Sequence, residues 1–228
     1  MKTIKLLILA LSLTAASFNA LSAGAKIDLD HANTDIMDRA SLQNGAKLFM
    51  NYCSGCHAIS FMRYNRIGND LGLSDELVAQ NLMFAGSKPG EAMVTAMPEN
   101  AASKWFGGVP PDLSLVARSK GTDWIYTYLR SFYEDESRIF GVNNKVLVNA
   151  SMPDALWSLR EAQSEAEFDN SVRDITNFLD YVGEPAKLIR LQLGKWVLLF
   201  LGVLFVLVYM LKKEYWKDVK YGVWRRRD

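Results

Sequence analysis

The sequence predicts a mostly α protein in which a loop-rich globular head is carried on one C-terminal membrane helix. Two observations predict this: uncharged apolar runs near both ends divide the chain into regions of opposite charge balance, and the head shows apolar residues recurring at three and four. The 228 residues allow one or two domains. With 50% hydrophobic and 22% charged residues, a disordered or collagen-like chain is excluded.

The N-terminus carries Lys2 and Lys5, an uncharged stretch from Leu6 to Ala16, and the small residues Ala20, Ser22, Ala23, Gly24 and Ala25. This tripartite pattern is that of a secretory signal peptide over 1–25, cleaved after Ala23 or Ala25. Near the other end, Trp196 to Leu211 is an uncharged, mostly apolar run, about 24 Å of helix at ~1.5 Å per residue. Lys195 and Lys212 can snorkel outward, Trp196 and Tyr209 suit the interfaces, and Leu191 to Gly194 lengthens the span. The expected anchor is therefore 188–211, with a basic tail over 212–228.

That tail holds seven Lys and Arg against three acidic residues, so the positive-inside rule puts it in the cytoplasm. The head, 26–187, has 15 Lys and Arg against 22 Asp and Glu, a net charge of −7. It is expected on the periplasmic side of a bacterial inner membrane, and its acidity does not suit a nucleic-acid partner.

The two cysteines of the chain occur as Cys53-Ser54-Gly55-Cys56-His57. The C-x-x-C-H spacing is the attachment signature of a c-type haem, with two thioethers to the porphyrin and the adjacent His57 on the iron. A thioredoxin-like pair would not require the histidine and usually lies near a βαβ pattern, which is not found here. Both cysteines are consumed by the haem, which leaves none for a structural disulfide.

A helix leads into the motif, beginning at Asn33, Asp38 or Ser41, with Leu42, Ala46, Phe49 and Cys53 at helical spacing. Gly45 shares a face with Phe49 and Cys53 and permits close approach of a second helix, for which Ser171 to Val182 is the candidate. Helices cross in this manner in class I cytochromes c. For a sixth iron ligand the chain offers His31 and several methionines, of which Met97 and Met152 each precede a proline that keeps the segment extended. The residues alone leave these two open.

Beyond the motif, Tyr64 and Arg66, Pro110-Pro111-Asp112-Leu113-Ser114, Arg118, and Gly141 to Leu159 (GVNNKVLVNASMPDALWSL) resemble the cytochrome c1 family, whose members carry the haem of the cytochrome bc1 complex. The resemblance implies a class I cytochrome c-type haem domain with loop-rich insertions. It implies one haem c, with Met152 as the partner of His57 on the iron, and Pro111, Arg118, Tyr64 and Trp124 as further haem contacts, Lys120 lying near the propionates with Arg118. Two departures stand out: Val142 where the family has tryptophan, and Asp154 where histidine is common.

The resemblance also implies an electron relay rather than side-chain catalysis. One electron passes from a Rieske iron–sulfur protein to this haem and on to a soluble cytochrome c, within a dimeric complex that includes a cytochrome b subunit and contacts membrane lipid. The complex is a quinol–cytochrome c oxidoreductase, in which this chain is an electron carrier. An acidic head suits a basic carrier, because complementary charge speeds encounter. Glu134-Asp135-Glu136 and the group Glu161, Glu165, Glu167 and Asp169 are candidate docking elements. The rival reading is a membrane-anchored c-type cytochrome that acts alone or serves a terminal oxidase.

Overall fold

A computed structural model describes residues 27–221; the expected signal peptide and the end of the basic tail lie outside the described residues. The first helix, α1 (Arg39–Tyr52), starts where the Asp38 carboxylate accepts the Ser41 N–H at 3.1 Å. Of the three starts expected, Asp38 is the one realised, because a short acceptor side chain satisfies an otherwise orphaned first-turn donor. The helix buries Leu42, Gly45, Ala46 and Phe49 on one face and ends at Cys53.

Strand β1 (Ile59–Arg63) pairs antiparallel with β2 (Ala92–Met93), and between them lie the short helices α2 (Tyr64–Leu71) and α3 (Asp75–Asn81). After α4 (Glu99–Phe106), the one-turn α5 (Val116–Ser119) and α6 (Thr122–Arg130), a ribbon of β3 (Phe132–Glu134) and β4 (Val142–Asn144) leads to α7 (Trp157–Ala162). The chain then forms α8 (Glu165–Gly183) and α9 (Lys187–Tyr221). The mostly α fold with loop-rich intervals is as expected, and the two short ribbons staple loops rather than build a sheet.

Helix α8 begins at Glu165, earlier than the expected Ser171. A capping box explains the extension: Ser164 and Glu167 satisfy each other's exposed donors, as Ser-x-x-Glu before an apolar run does. Helices α1 and α8 cross at Gly45, where an added Cβ would lie 2.0 Å from the Asp174 carbonyl oxygen and 2.7 Å from the Phe178 Cβ. Phe49 and Phe178 pack beside the crossing with ring centroids 5.6 Å apart. The buried Asp174 carboxylate is satisfied across the same interface by the Ser41 hydroxyl at 2.6 Å and the Asn44 amide at 2.8 Å.

The N-terminal arm is tied to α6, since the Asp123 carboxylate accepts the Ala32 N–H and pairs with His31 Nδ1, both at 2.9 Å. His31 thus sits on the surface of the head, away from the Cys-His motif. Helix α9 leaves the head with a mean hydropathy of 2.2 over its apolar window, none of it buried within the chain, and is long and apolar enough to cross a membrane. It continues as one helix to Tyr221, past the end of the apolar run at Leu211. The first part of the basic tail is therefore helical.

Gly45→Ala is expected to destabilise the head by roughly 1–3 kcal/mol, the usual cost of overpacking. Thermal denaturation of the detergent-solubilised protein should show this as a drop in Tm, whereas Gly90→Ala, where an added Cβ meets nothing within 4 Å, should leave Tm unchanged.

Candidate haem site

The end of α1 presents the motif. The Cys53 N–H still donates to the Phe49 carbonyl at 2.8 Å, after which the Cys56 and His57 N–H groups both turn back onto the Cys53 carbonyl at 3.1 and 2.9 Å. This turn brings both thiols and the imidazole to one cleft of about 600 Å³.

The segment Pro110 to Ser114 orients the histidine. His57 Nδ1 donates to the Pro111 carbonyl at 2.8 Å, which leaves Nε2 as the nitrogen free to bind a metal. That carbonyl is held in turn. The Leu113 N–H donates to the Ala58 carbonyl at 2.8 Å, and Asp112 accepts the Ser60 N–H at 3.0 Å and hydroxyl at 2.5 Å. Partial burial opposes ionisation of Asp112, but the hydrogen bonds from Ser114 and Ser60 outweigh it and hold the carboxyl below its usual range. Burial lowers the His57 pKa, against the Pro111 hydrogen bond and the Asp112 charge, which favours the neutral ring that metal ligation requires. Burial likewise pushes the Cys53 thiol up to about 12, with Cys56 adding to the shift.

The walls of the cleft are apolar, with Leu113, Val116, Ile125, Leu129, Ile175 and Leu179 from the PPDLS segment, α5, α6 and α8. Met152 lines the same cleft and Met97 does not. The Met97 segment is instead fastened behind the motif, where the Thr95 hydroxyl donates to the Gly55 carbonyl at 2.9 Å and accepts the Met97 N–H at 3.2 Å. The Tyr128 hydroxyl points at Met152 Sδ from 3.4 Å, and Trp124 stacks on the Tyr128 ring at 4.9 Å. Burial pushes the Tyr128 phenol up to about 12, so it stays a donor at neutral pH.

Cys53, Cys56, His57, Met152, Pro111 and Trp124 thus line one cleft. Two expected contacts do not line the cleft. Arg118 turns outward to Glu184, with Nη1 2.9 Å from Oε2, because α5 is a single turn that directs Arg118 toward the end of α8. Lys120, two residues on, lines the cleft instead and sets its Nζ 5.5 Å from the Trp124 ring centroid. Tyr64 is 1% exposed in the core at the start of α2, its ring against Gly86. Tyr128, whose spacing of four from Trp124 reads in the sequence as ordinary core packing, is the cleft residue that sequence reasoning did not assign to the site.

Three of the acidic residues expected to dock a carrier serve the fold: Asp135 accepts from Ser137 and Asn143, Glu167 caps α8, and Asp169 pairs with Arg130. Glu134, Glu136, Glu161 and Glu165 remain exposed. Asp154, at a departure from the family pattern, holds Arg160 at 3.1 Å.

Two thiols, an imidazole with a free Nε2 and a thioether around an apolar cleft of this size are a donor set suited to a c-type haem. Among the described residues, no group of three or more His, Cys, Asp or Glu is placed to hold a bare metal ion.

Comparison with known proteins shows the family. The model of the Cytochrome C1 family matches residues 31–219. The chain is 48% identical to cytochrome c1 of Allochromatium vinosum, over 93% of this chain and 98% of that one. It is 43% identical to a protein of Nitrosomonas europaea named ammonia monooxygenase gamma subunit, over 96% of this chain and all of the other. Cytochrome c1 of Rhodospirillum rubrum is 30% identical over 81% of this chain and 84% of its own. With its Cys-x-x-Cys-His turn, Met152 cleft and single apolar C-terminal helix, the chain belongs to the cytochrome c1 family.

Proposed function

We propose that this chain, the electron-transfer haem subunit of a cytochrome bc1 complex, accepts one electron from a Rieske iron–sulfur protein and passes it to a soluble c-type cytochrome. The observation that carries the reading is the convergence of Cys53, Cys56, His57 and Met152 on one apolar cleft. Cys53 and Cys56 would hold a haem c through two thioethers, and His57 Nε2 and Met152 Sδ would bind its iron. The bound haem supplies a one-electron couple, and no side chain makes or breaks a bond during turnover.

The residues of the chain set the potential and the route. The Pro111 carbonyl fixes the ring orientation of His57, and the apolar walls keep water from the iron. A hydroxyl donor on a thioether withdraws electron density and favours the reduced metal, which is the role of Tyr128. Lys120 and Trp124, on the wall of the cleft, would meet the haem propionates. The exposed Glu134, Glu136, Glu161 and Glu165 steer a basic carrier to the head.

The haem domain spans 26–187 in the periplasm and follows a cleaved signal peptide at 1–25. The anchor at 188–211 packs against a cytochrome b subunit, and the basic tail from 212 lies on the cytoplasmic side, where anionic lipid attracts it. The complex acts as a quinol–cytochrome c oxidoreductase in a bacterial inner membrane and is dimeric.

Purification of the tagged chain from membranes in mild detergent tests the assembly. Recovery with a cytochrome b and a Rieske subunit, and quinol-to-cytochrome c activity, is the expected result. Recovery with monooxygenase subunits would favour the role that the name of the Nitrosomonas relative states, and recovery alone or with oxidase subunits would favour a separate carrier.

Two substitutions test the site. Met152→Leu is expected to retain the covalent haem but lower its reduction potential markedly in a redox titration, while Met97→Leu leaves the potential unchanged. Tyr128→Phe removes one hydrogen bond to the thioether and should lower the potential by a smaller amount, with the absorption spectrum otherwise preserved.

A further inference from the structure

The geometry points to Asn143 and Asn144 as positioning residues that hold the Met152 loop in its ligating place, an assignment that rests on Met152 being the iron ligand. The loop from Lys145 to Ser151 has no helix or strand of its own. Its backbone is gripped by the two amides instead. Asn144, which is 0% exposed, accepts the Val146 and Leu147 N–H groups on Oδ1 at 2.9 and 3.1 Å, and donates from Nδ2 to the Tyr128 carbonyl at 2.8 Å. Asn143 Oδ1 accepts the Asn149 N–H at 2.8 Å, and Asn143 Nδ2 is anchored on the Asp135 carboxylate at 2.8 Å.

Asn149 is the point where the loop turns toward the ligand, with φ at +67°. Its peptide groups are held from two directions, because Arg138 Nη2 donates to the Asn149 carbonyl at 3.0 Å while Asn143 takes the N–H. The loop then reaches Met152, whose sulfur meets the Tyr128 hydroxyl. Tyr128 is therefore contacted at both ends of one closed circuit: the Asn144 amide at its carbonyl, and Met152 at its hydroxyl.

That closure matters for a thioether ligand. Methionine is an unbranched side chain with several rotatable bonds and sulfur is a weak donor, so the backbone must supply the placement that the bond itself does not enforce. Buried amides with every partner filled are rigid, because losing one partner leaves an unsatisfied group in a low-dielectric interior. An alanine at 144 removes two hydrogen bonds to the loop and the one that ties it to Tyr128 without touching the sulfur, the imidazole or either thiol.

The test uses the full chain in its purified, detergent-solubilised complex and three readouts: the ferric thioether-to-iron charge-transfer absorption, the reduction potential, and carbon monoxide binding by the reduced form. Asn144→Ala is expected to keep the covalent haem, weaken the charge-transfer band, shift the oxidised-to-reduced ratio by about tenfold or more (~59 mV for one electron) and admit carbon monoxide. Val172→Ala, a cavity in the 0% exposed core of α8, should lower Tm and leave all three readouts at their wild-type values. An Asn144→Ala protein that behaves like Val172→Ala overturns the assignment. Should Asn144→Ala fail to accumulate, Asn143→Ser decides, since a shortened side chain loses the reach to Asn149; wild-type readouts there overturn it. Met152→Leu separates the two readings: unchanged readouts in that protein remove the ligand and with it the clamp, whereas altered readouts in Met152→Leu alone remove only the clamp.

Discussion

The backbone contact between α1 and α8 at Gly45 fixes where everything else can be. Because the Asp174 carbonyl occupies the space of a Cβ, the two helices lie closer than side chains would allow, and the end of α1 is aimed accordingly. Cys53 is the residue that caps that end, so the first thiol of the motif inherits its position from a helix crossing two turns earlier. Helix α8 contributes twice. Phe178 closes the crossing on one side while Ile175 and Leu179 form a wall of the cleft, so core packing and the floor of the site are the same element.

Polar order surrounds an apolar cavity. Hydrogen bonds that orient the site lie one layer out, from His57 to Pro111, from Ser60 to Asp112 and from Asn144 to Tyr128. A haem in such a setting would meet hydrocarbon walls and a hydroxyl donor on the Met152 sulfur, and both conditions favour the less charged, reduced iron, while the carbonyl behind His57 serves to orient the ring. Each buried carboxylate or amide behind the cleft also costs several hydrogen bonds if it moves. The geometry is accordingly pre-organised.

Much of this was legible in the residues because the signals were local and chemically specific. Cys-x-x-Cys-His, a sixteen-residue apolar run and a glycine on the apolar face of α1 each point to one arrangement. The choice between Met97 and Met152 was not legible from spacing, since both precede proline; the Thr95 contact that draws the Met97 segment behind the motif is a tertiary one. Arg118 and Lys120 show the same limit. Two residues apart on a single helical turn they face nearly opposite ways, at about 100° per residue, so composition cannot say which one meets the cleft. Helix α9 runs beyond the apolar stretch because Lys, Glu, Tyr and Trp are compatible with helix and nothing between Leu211 and Tyr221 breaks it.

The joint between head and anchor is also built from side chains. Only residues 184–186 separate α8 from α9, and Pro185 stiffens them. Glu184 receives Arg118 of α5 and Arg190 of α9, each at 2.9 Å, while Lys187 reaches back to Asp180 at 3.2 Å. Singly such partly exposed pairs contribute little, but one carboxylate shared by two arginines from different elements ties the head to the anchor through a common point. The outward turn of Arg118 thereby acquires a purpose. An arginine aimed at the cleft would serve the haem alone; aimed at Glu184, it links the one-turn helix beside the cleft to the first turn of the apolar helix, and so relates the attitude of the cleft to the axis of the anchor.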